Sequence, residues 1–189
     1  MEILCALEEI INSTDCKKRA GIRAMYWTDK DNIDWAAMLA DNTKFDATNQ
    51  QILGYIMNTG KTFNKVTFNR ESAFFDSTFT EDTDVYTHLA QFIFDGLNNA
   101  RLLSLKKAAK CCNVYMHLYL NNGLQVCMGI DYDGLTVEDP LKKLTVTRHL
   151  MSSGQLGSSK ARDEMDIGGT SFEAPITATV TATDIPVPS

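Results

Sequence analysis

The chain has 189 residues, of which 44% are hydrophobic and 22% charged, and 24 acidic against 18 basic side chains leave a formal net charge of −6. One domain accommodates that length, and the composition is that of a soluble globular protein, far from disordered or collagen-like chains. Duplex-reading proteins carry a basic face to neutralise phosphates, so this acidic balance argues against sequence-specific DNA binding.

The chain opens on Met1-Glu-Ile-Leu-Cys-Ala-Leu-Glu-Glu-Ile-Ile. Apolar residues at 3, 4, 7, 10 and 11 have helical spacing with carboxylates opposite, which predicts an N-terminal helix over 1–12 and lacks the basic flank of a secretion signal. No run approaches the ~18 consecutive apolar residues that span a bilayer, so no membrane role is expected. Five cysteines, at 5, 16, 111, 112 and 127, are odd in number and irregularly spaced. That pattern fits folding in a reducing cytoplasm better than a disulfide framework.

Gly21 to Trp27 reads as a strand, and Asp34 can cap a single helical turn after it. Ile52 to Met57 is apolar on both faces and predicts a buried strand. Asn58-Thr-Gly-Lys61 then predicts a hairpin turn, with Gly60 free to take positive φ and Thr62 to Phe68 returning. Ala73 to Phe79, an acidic turn at Glu81 to Asp84, and Val85 to Phe94 follow as strand, turn and strand. Ala100 to Lys110 is made of good helix formers, with Leu102, Leu105, Ala109 and Cys112 in one stripe. This predicts a helix lying across a sheet.

The strongest alternation comes next. Val114, Met116, Leu118 and Leu120 alternate with Tyr115, His117 and Tyr119, and a second such run spans Leu124 to Ile130 beyond Asn121-Asn-Gly123. Two period-2 runs around a short Gly-ended loop specify a hairpin with Gly123 left-handed. Leu141 to Leu150 is another strand. Residues 152–169 are polar and contain four glycines, which predicts a long mobile loop that orders against a neighbouring subunit. Ala174 to Thr183 alternates small apolar residues with threonines and predicts a last strand, and 184–189 form an extended tail. The sum is a single mainly β domain over 1–189. It is an antiparallel β-sandwich or barrel of seven or eight strands with one flanking α-helix and a short N-terminal helix.

Site chemistry is sparse. Gly54 to Thr62 mimics a phosphate loop, but it has five residues between the glycines where four are needed, and a strand follows in place of a helix N-terminus. Asp131-Tyr-Asp133-Gly134 opens like a calcium loop yet lacks the later oxygen ligands, so a turn is expected. Carboxylate runs at Glu81, Asp82 and Asp84 and at Asp163, Glu164 and Asp166 are expected to be solvated. His88, His117 and His149 have no ligand spacing, and His88 and His117 are expected on the surface or on sheet faces. Cys111 falls at a helix C-terminus, where the dipole raises a thiol pKa. No catalytic residue, metal site, cofactor or enzymatic activity is therefore expected. An enzyme would need one of the three histidines to meet a cysteine or carboxylate. Phe63, Phe68, Phe74, Phe75, Phe79, Phe92 and Phe94 exceed what one core needs, so some should face another subunit.

The order of several segments resembles a known family. Gly21-Ile-Arg-Ala-Met-Tyr, Asp31-Asn-Ile-Asp, Thr59 to Arg70, Asn98 to Lys110 and the hairpin Val114 to Ile130 are similar to small tail proteins of phages infecting Bacteroides-type bacteria. The resemblance covers about residues 15–182, and the N-terminal helix and the 152–169 loop depart from short members. It implies a tail-tube-like β domain and a structural virion protein. The chain would form a homo-oligomeric ring, either tail tube or head–tail ring, around a DNA ejection channel. Its partners would be itself and neighbouring tail, ring or portal proteins. DNA would pass the lumen unread. The place would be the virion tail, and the host cytoplasm during assembly. An intracellular β-barrel that binds a small ligand is the alternative.

Overall fold

A computed structural model describes residues 21–66, 68, 73–95, 113–133, 136–140, 142–153 and 161–187. The expected N-terminal helix over 1–12, the helix from Ala100 to Lys110 and Cys111 lie outside them.

The first strand, β1 (Ile22–Asp29), ends where Asp29 accepts a hydrogen bond from the Asp31 backbone and starts a one-turn 3-10 helix. Asp34 then caps α1 (Trp35–Ala40), its carboxylate accepting from the Ala37 N–H at 3.0 Å. Short strands β2 (Phe45–Asp46), β3 (Gln51–Ile52) and β4 (Asn64–Val66) precede the long hairpin β5 (Phe74–Thr80) and β6 (Val85–Asp95). A second hairpin, β7 (Val114–Leu120) and β8 (Gln125–Met128), leads into the ribbon β9 (Asp131–Tyr132) and β10 (Val137–Glu138). Then come β11 (Lys142–Ser152), β12 (Arg162–Ser171) and β13 (Ile176–Ala178).

These strands build a β-sandwich. One sheet has the order β2-β3-β13-β8-β7-β1-β4 and the other β11-β12-β6-β5. Pairings are antiparallel except β13 with β3. Period 2 sends Met25, Met116, Leu118 and Met128 from the first sheet against Ala90, Phe92, Leu144, Met165 and Ile167 from the second. Each fully buried side chain of that size contributes roughly 1.5–3 kcal/mol.

The other face of the seven-stranded sheet is covered as well. Residues 30–63, including α1, and the C-terminal segment place Ile33, Met38, Phe45, Tyr55, Phe63 and Ile185 against Tyr26, Tyr115 and Cys127. Among the described residues the helix flanking the sandwich is α1, held by Trp35 edge-on to Tyr115 at 5.3 Å between ring centres, whereas the helix expected to flank the sheet, Ala100 to Lys110, lies outside them.

Several expectations need correction. Of the loop expected over 152–169, residues 154–160 lie outside the described residues, and the rest is not a loop: β11 runs through Ser152, and Arg162 to Gly169 belong to β12, a ten-residue strand between β11 and β6. Its outward positions are Glu164 and Asp166, so the alternation of polar and apolar that marks a half-buried strand is hidden by buried carboxylates. Gly168 belongs in it because a Cβ there would stand 3.0 Å from the His88 carbonyl. Replacing 154–166 with a linker would cut a central strand.

Only Ile52 of the expected Ile52–Met57 strand lies in a strand, β3, apart from a bridge from Met57 to Ile33. Gly60 does turn the chain, at φ +73 with Lys61 N–H donating to the Asn58 carbonyl. Its flanks do not pair with each other, because β4 joins the edge of β1. The last strand is three residues, since Ala182 and its neighbours are exposed. The tail starts pinned, with Ile185 buried and the Pro186 carbonyl accepting from Phe63 N–H at 2.7 Å.

The two hairpins form as read, and Gly123 is left-handed at φ +94. Gly129 is more constrained: its φ is +102, and a Cβ would lie 2.3 Å from the Val114 carbonyl. Gly129→Ala should therefore lower the unfolding free energy by about 2 kcal/mol or more, through strained backbone and a clash. Urea denaturation of the variant reads this out, and a loss below about 0.5 kcal/mol would show that the bend relaxes freely.

Candidate functional site: the open face and edges of the four-stranded sheet

The two sheets differ in one respect that bears on function. Both faces of the seven-stranded sheet are covered, whereas among the described residues nothing covers the outward face of the four-stranded sheet or pairs with the outer edges of β5 and β11. Exposed large apolar residues collect along those edges. Phe74 and Phe79 on β5 are 40% and 46% exposed, and Leu150 and Met151 on β11 are 38% and 49% exposed. The aromatic surplus divides accordingly: Phe63, Phe92 and Phe94 are core, while Phe74 and Phe79 face out.

Across the open face runs an ionic network. Glu164 and Asp166 project outward from β12, yet their side chains are only 8% and 12% exposed because arginines lie over them. Arg148 Nη2 reaches Glu164 Oε2 at 3.1 Å and its Nη1 reaches Asp166 Oδ2 at 3.6 Å. Arg162 Nη2 takes Glu164 Oε1 at 2.8 Å, and Gln91 Nε2 donates to Asp166 Oδ1 at 2.8 Å. All four carboxylate oxygens are thereby engaged by β11, β12 and β6. Satisfying every oxygen is what makes burial of two carboxylates tolerable. The expectation that Asp163, Glu164 and Asp166 are solvated is corrected: Asp163 is fully buried on the inward side with His149 Nε2 3.8 Å away. The signal lay in the sequence as Glu164-x-Asp166 at strand spacing, but composition pointed to a loop.

The histidines occupy three separate places. His88 faces inward, not to the surface, between two serines. Ser171 Oγ donates to the Glu173 carbonyl at 2.7 Å, so it accepts from His88 Nε2, and Ser77 Oγ donates to His88 Nδ1 at 2.9 Å. His117 is fully buried beneath the 30–63 layer. Gln125 Oε1 accepts from both Val180 N–H and His117 Nε2, each at 3.0 Å, which leaves Nδ1 to accept from Tyr55 OH at 2.6 Å. Tyr115 OH and Cys127 Sγ join the same tyrosine at 2.9 and 3.5 Å. Burial pushes the Cys127 thiol up to about 11 and raises both tyrosines, the opposite of an activated nucleophile. The network bolts the C-terminal segment to the sheet.

The turn expected at Asp131 to Gly134 starts later than read: Asp131 lies in β9, paired with Glu138, and beyond the strand Asp133 Oδ1 accepts from Thr136 N–H at 2.7 Å. Asp131 is buried and accepts from Phe172 N–H at 3.2 Å. Glu81, Asp82 and Asp84 are exposed at the tip of the β5–β6 hairpin. Gly54 to Thr62 presents no helix N-terminus to a phosphate. No family model, curated protein or solved structure matches the chain.

Desolvation pushes both His88 and His117 down to about 4 from the ordinary 6.5. Between those values the unfolded chain takes up protons that the folded chain refuses. Stability is therefore complete above about pH 6.5 and declines as pH falls toward about 4. Urea midpoints between about pH 7 and pH 4.5 should fall accordingly. His117→Asn should weaken the protein at neutral pH but flatten that slope. An unchanged slope would place the acid sensitivity elsewhere.

Proposed function

We propose that this protein is a structural subunit of a phage tail that closes into a homo-oligomeric ring around a DNA channel, as a tail tube or a ring at the head–tail connection. The observation that carries the reading is the pair of edges of the four-stranded sheet that no strand among the described residues pairs with. Its order β11-β12-β6-β5 is antiparallel throughout, so the edges β11 and β5 run in opposite senses. A copy generated by rotation about an axis along the sheet brings its β11 beside β5 in antiparallel sense, and repetition closes the sheets into one barrel without breaking the alternation. Such a contact is heterologous, as closed rings require. It also removes two long edges that would otherwise invite uncontrolled association.

The remaining features support the same role. The covered seven-stranded sheet forms the outer wall, the open face turns to the channel, and a net charge of −6 disfavours a grip on passing phosphates. Neighbouring tail, ring or portal proteins would be the other partners, in the virion tail and in the host cytoplasm during assembly. The alternative of an intracellular small-ligand carrier draws less support, since Met25, Met116, Phe92 and Met165 pack between the sheets.

Light scattering after size exclusion, with particle imaging, tests the ring. The wild-type protein should give one closed oligomer at micromolar concentration. Phe74→Lys with Met151→Lys, placed on opposite edges, should give a folded monomer whose melting temperature changes little, because both residues are exposed in the subunit. A wild-type protein that remains monomeric and forms no rings in images would overturn the reading.

A further inference from the structure

We infer that copies of this chain join by pairing β5 of one with β11 of the next in a single antiparallel register, with Phe74 opposite Leu150 and Asp76 opposite Arg148. This rests on the ring reading and adds to it which residues meet at the joint. The side-chain pattern of the two edges carries the inference. On β5, Phe74 pairs with Gln91 and Asp76 with Leu89, and both are exposed on the open face. On β11, Arg148 pairs with Asp166 and Leu150 with Glu164, so they are exposed on that same face. Each edge thus offers one large apolar side chain and one charge two residues apart, and the two charges are opposite. Read antiparallel, Phe74-x-Asp76 runs against Leu150-x-Arg148 and the two edges match.

Other registers fit worse. A slip of one residue turns Phe74 and Asp76 to the wrong face. A slip of two in one direction sets Phe74 against Arg148 and Asp76 against Thr145, which the irregularity after Val146 makes the next residue on the open face. In the other direction Asp76 meets Leu150. An exposed ion pair adds little affinity, but it selects register by penalising the mismatched ones. Backbone hydrogen bonds of the added strand supply the hold. Arg148 reaches Glu164 and Asp166 on its β12 side, and its other flank borders the edge that no described strand pairs with. Pairing β5 with β5 is disfavoured, because Asp76 of both copies would share a joint to which β5 brings no cation. Within one subunit Arg148, Asp166, Gln91 and Phe74 form one row across the sheet. The inferred register is therefore staggered by two residues, about 7 Å, and closing strands into a barrel requires a stagger.

Disulfide trapping between copies tests this on the full chain. Directly opposed residues of an antiparallel pair have Cα atoms about 4.5–5.5 Å apart, within disulfide reach. In one subunit the same positions lie on opposite edges of four strands. That separation is about 14 Å or more, so a bond between them must join two copies. Under mild oxidation, Phe74→Cys with Leu150→Cys should give a ladder of covalent oligomers on non-reducing gels. The yield should exceed by about tenfold that of either single variant, which measures the background from the five native cysteines. Asp76→Cys with Thr145→Cys and Asp76→Cys with Leu150→Cys probe the two neighbouring registers and should stay at background. Phe74, Asp76 and Leu150 are exposed and Thr145 is half-buried, so these variants spare the core. Light scattering on the same samples separates the two readings. Rings whose ladder comes from a neighbouring-register pair, or from none, overturn the register and leave the ring standing. A ladder from Phe74→Cys with Leu150→Cys in open filaments supports the register and overturns the closed ring. A protein that stays monomeric and gives no ladder overturns both.

Discussion

Two carboxylates cannot leave water unless each of their oxygens is met, and the four-stranded sheet is organised around meeting that condition at Glu164 and Asp166. β12 supplies them, β11 supplies Arg148, β6 supplies Gln91, and Arg162 closes the set from the start of β12 itself. The opposite face of the same strand carries Met165 and Ile167 into the core against Met116 and Leu118. One strand therefore holds an apolar interface on one side and an ionic one on the other. Removing one partner of such a network leaves a buried charge unpaired, a larger cost than the network's net contribution to stability.

The seven-stranded sheet solves a different problem. β7 is buried on both faces, which strands in antiparallel sheets seldom are. The second face is sealed by residues far away in sequence: Tyr55 from the long connection after α1, and Val180 from the C-terminal segment, converge through His117 and Gln125. Tyr119 OH adds another bond, to the Val180 carbonyl at 2.6 Å. Because this polar chain is fully paired, it orients the covering layer without leaving an unmet group.

The consequence is asymmetry. Among the described residues one sheet is enclosed, while the other is open on its outward face and along two edges, and the ring we propose would close through those edges.

Much of this was legible in the chain alone. Strict alternation from Val114 to Ile130 specified a hairpin, Asp34 specified a cap, the acidic Glu81 to Asp84 run specified a turn, and their sum specified a mainly β sandwich or barrel, because local period and turn chemistry act over a few residues. What the tertiary structure decided was which polar residues are inside. Residues 162–169 look like part of a loop until Arg148 and Gln91 arrive from other strands to bury Glu164 and Asp166. His117 looks like a sheet-face residue until Tyr55 and Gln125 enclose it. Burial of a charge or an imidazole depends on partners that long-range pairing brings, and no local pattern encodes where those partners will stand.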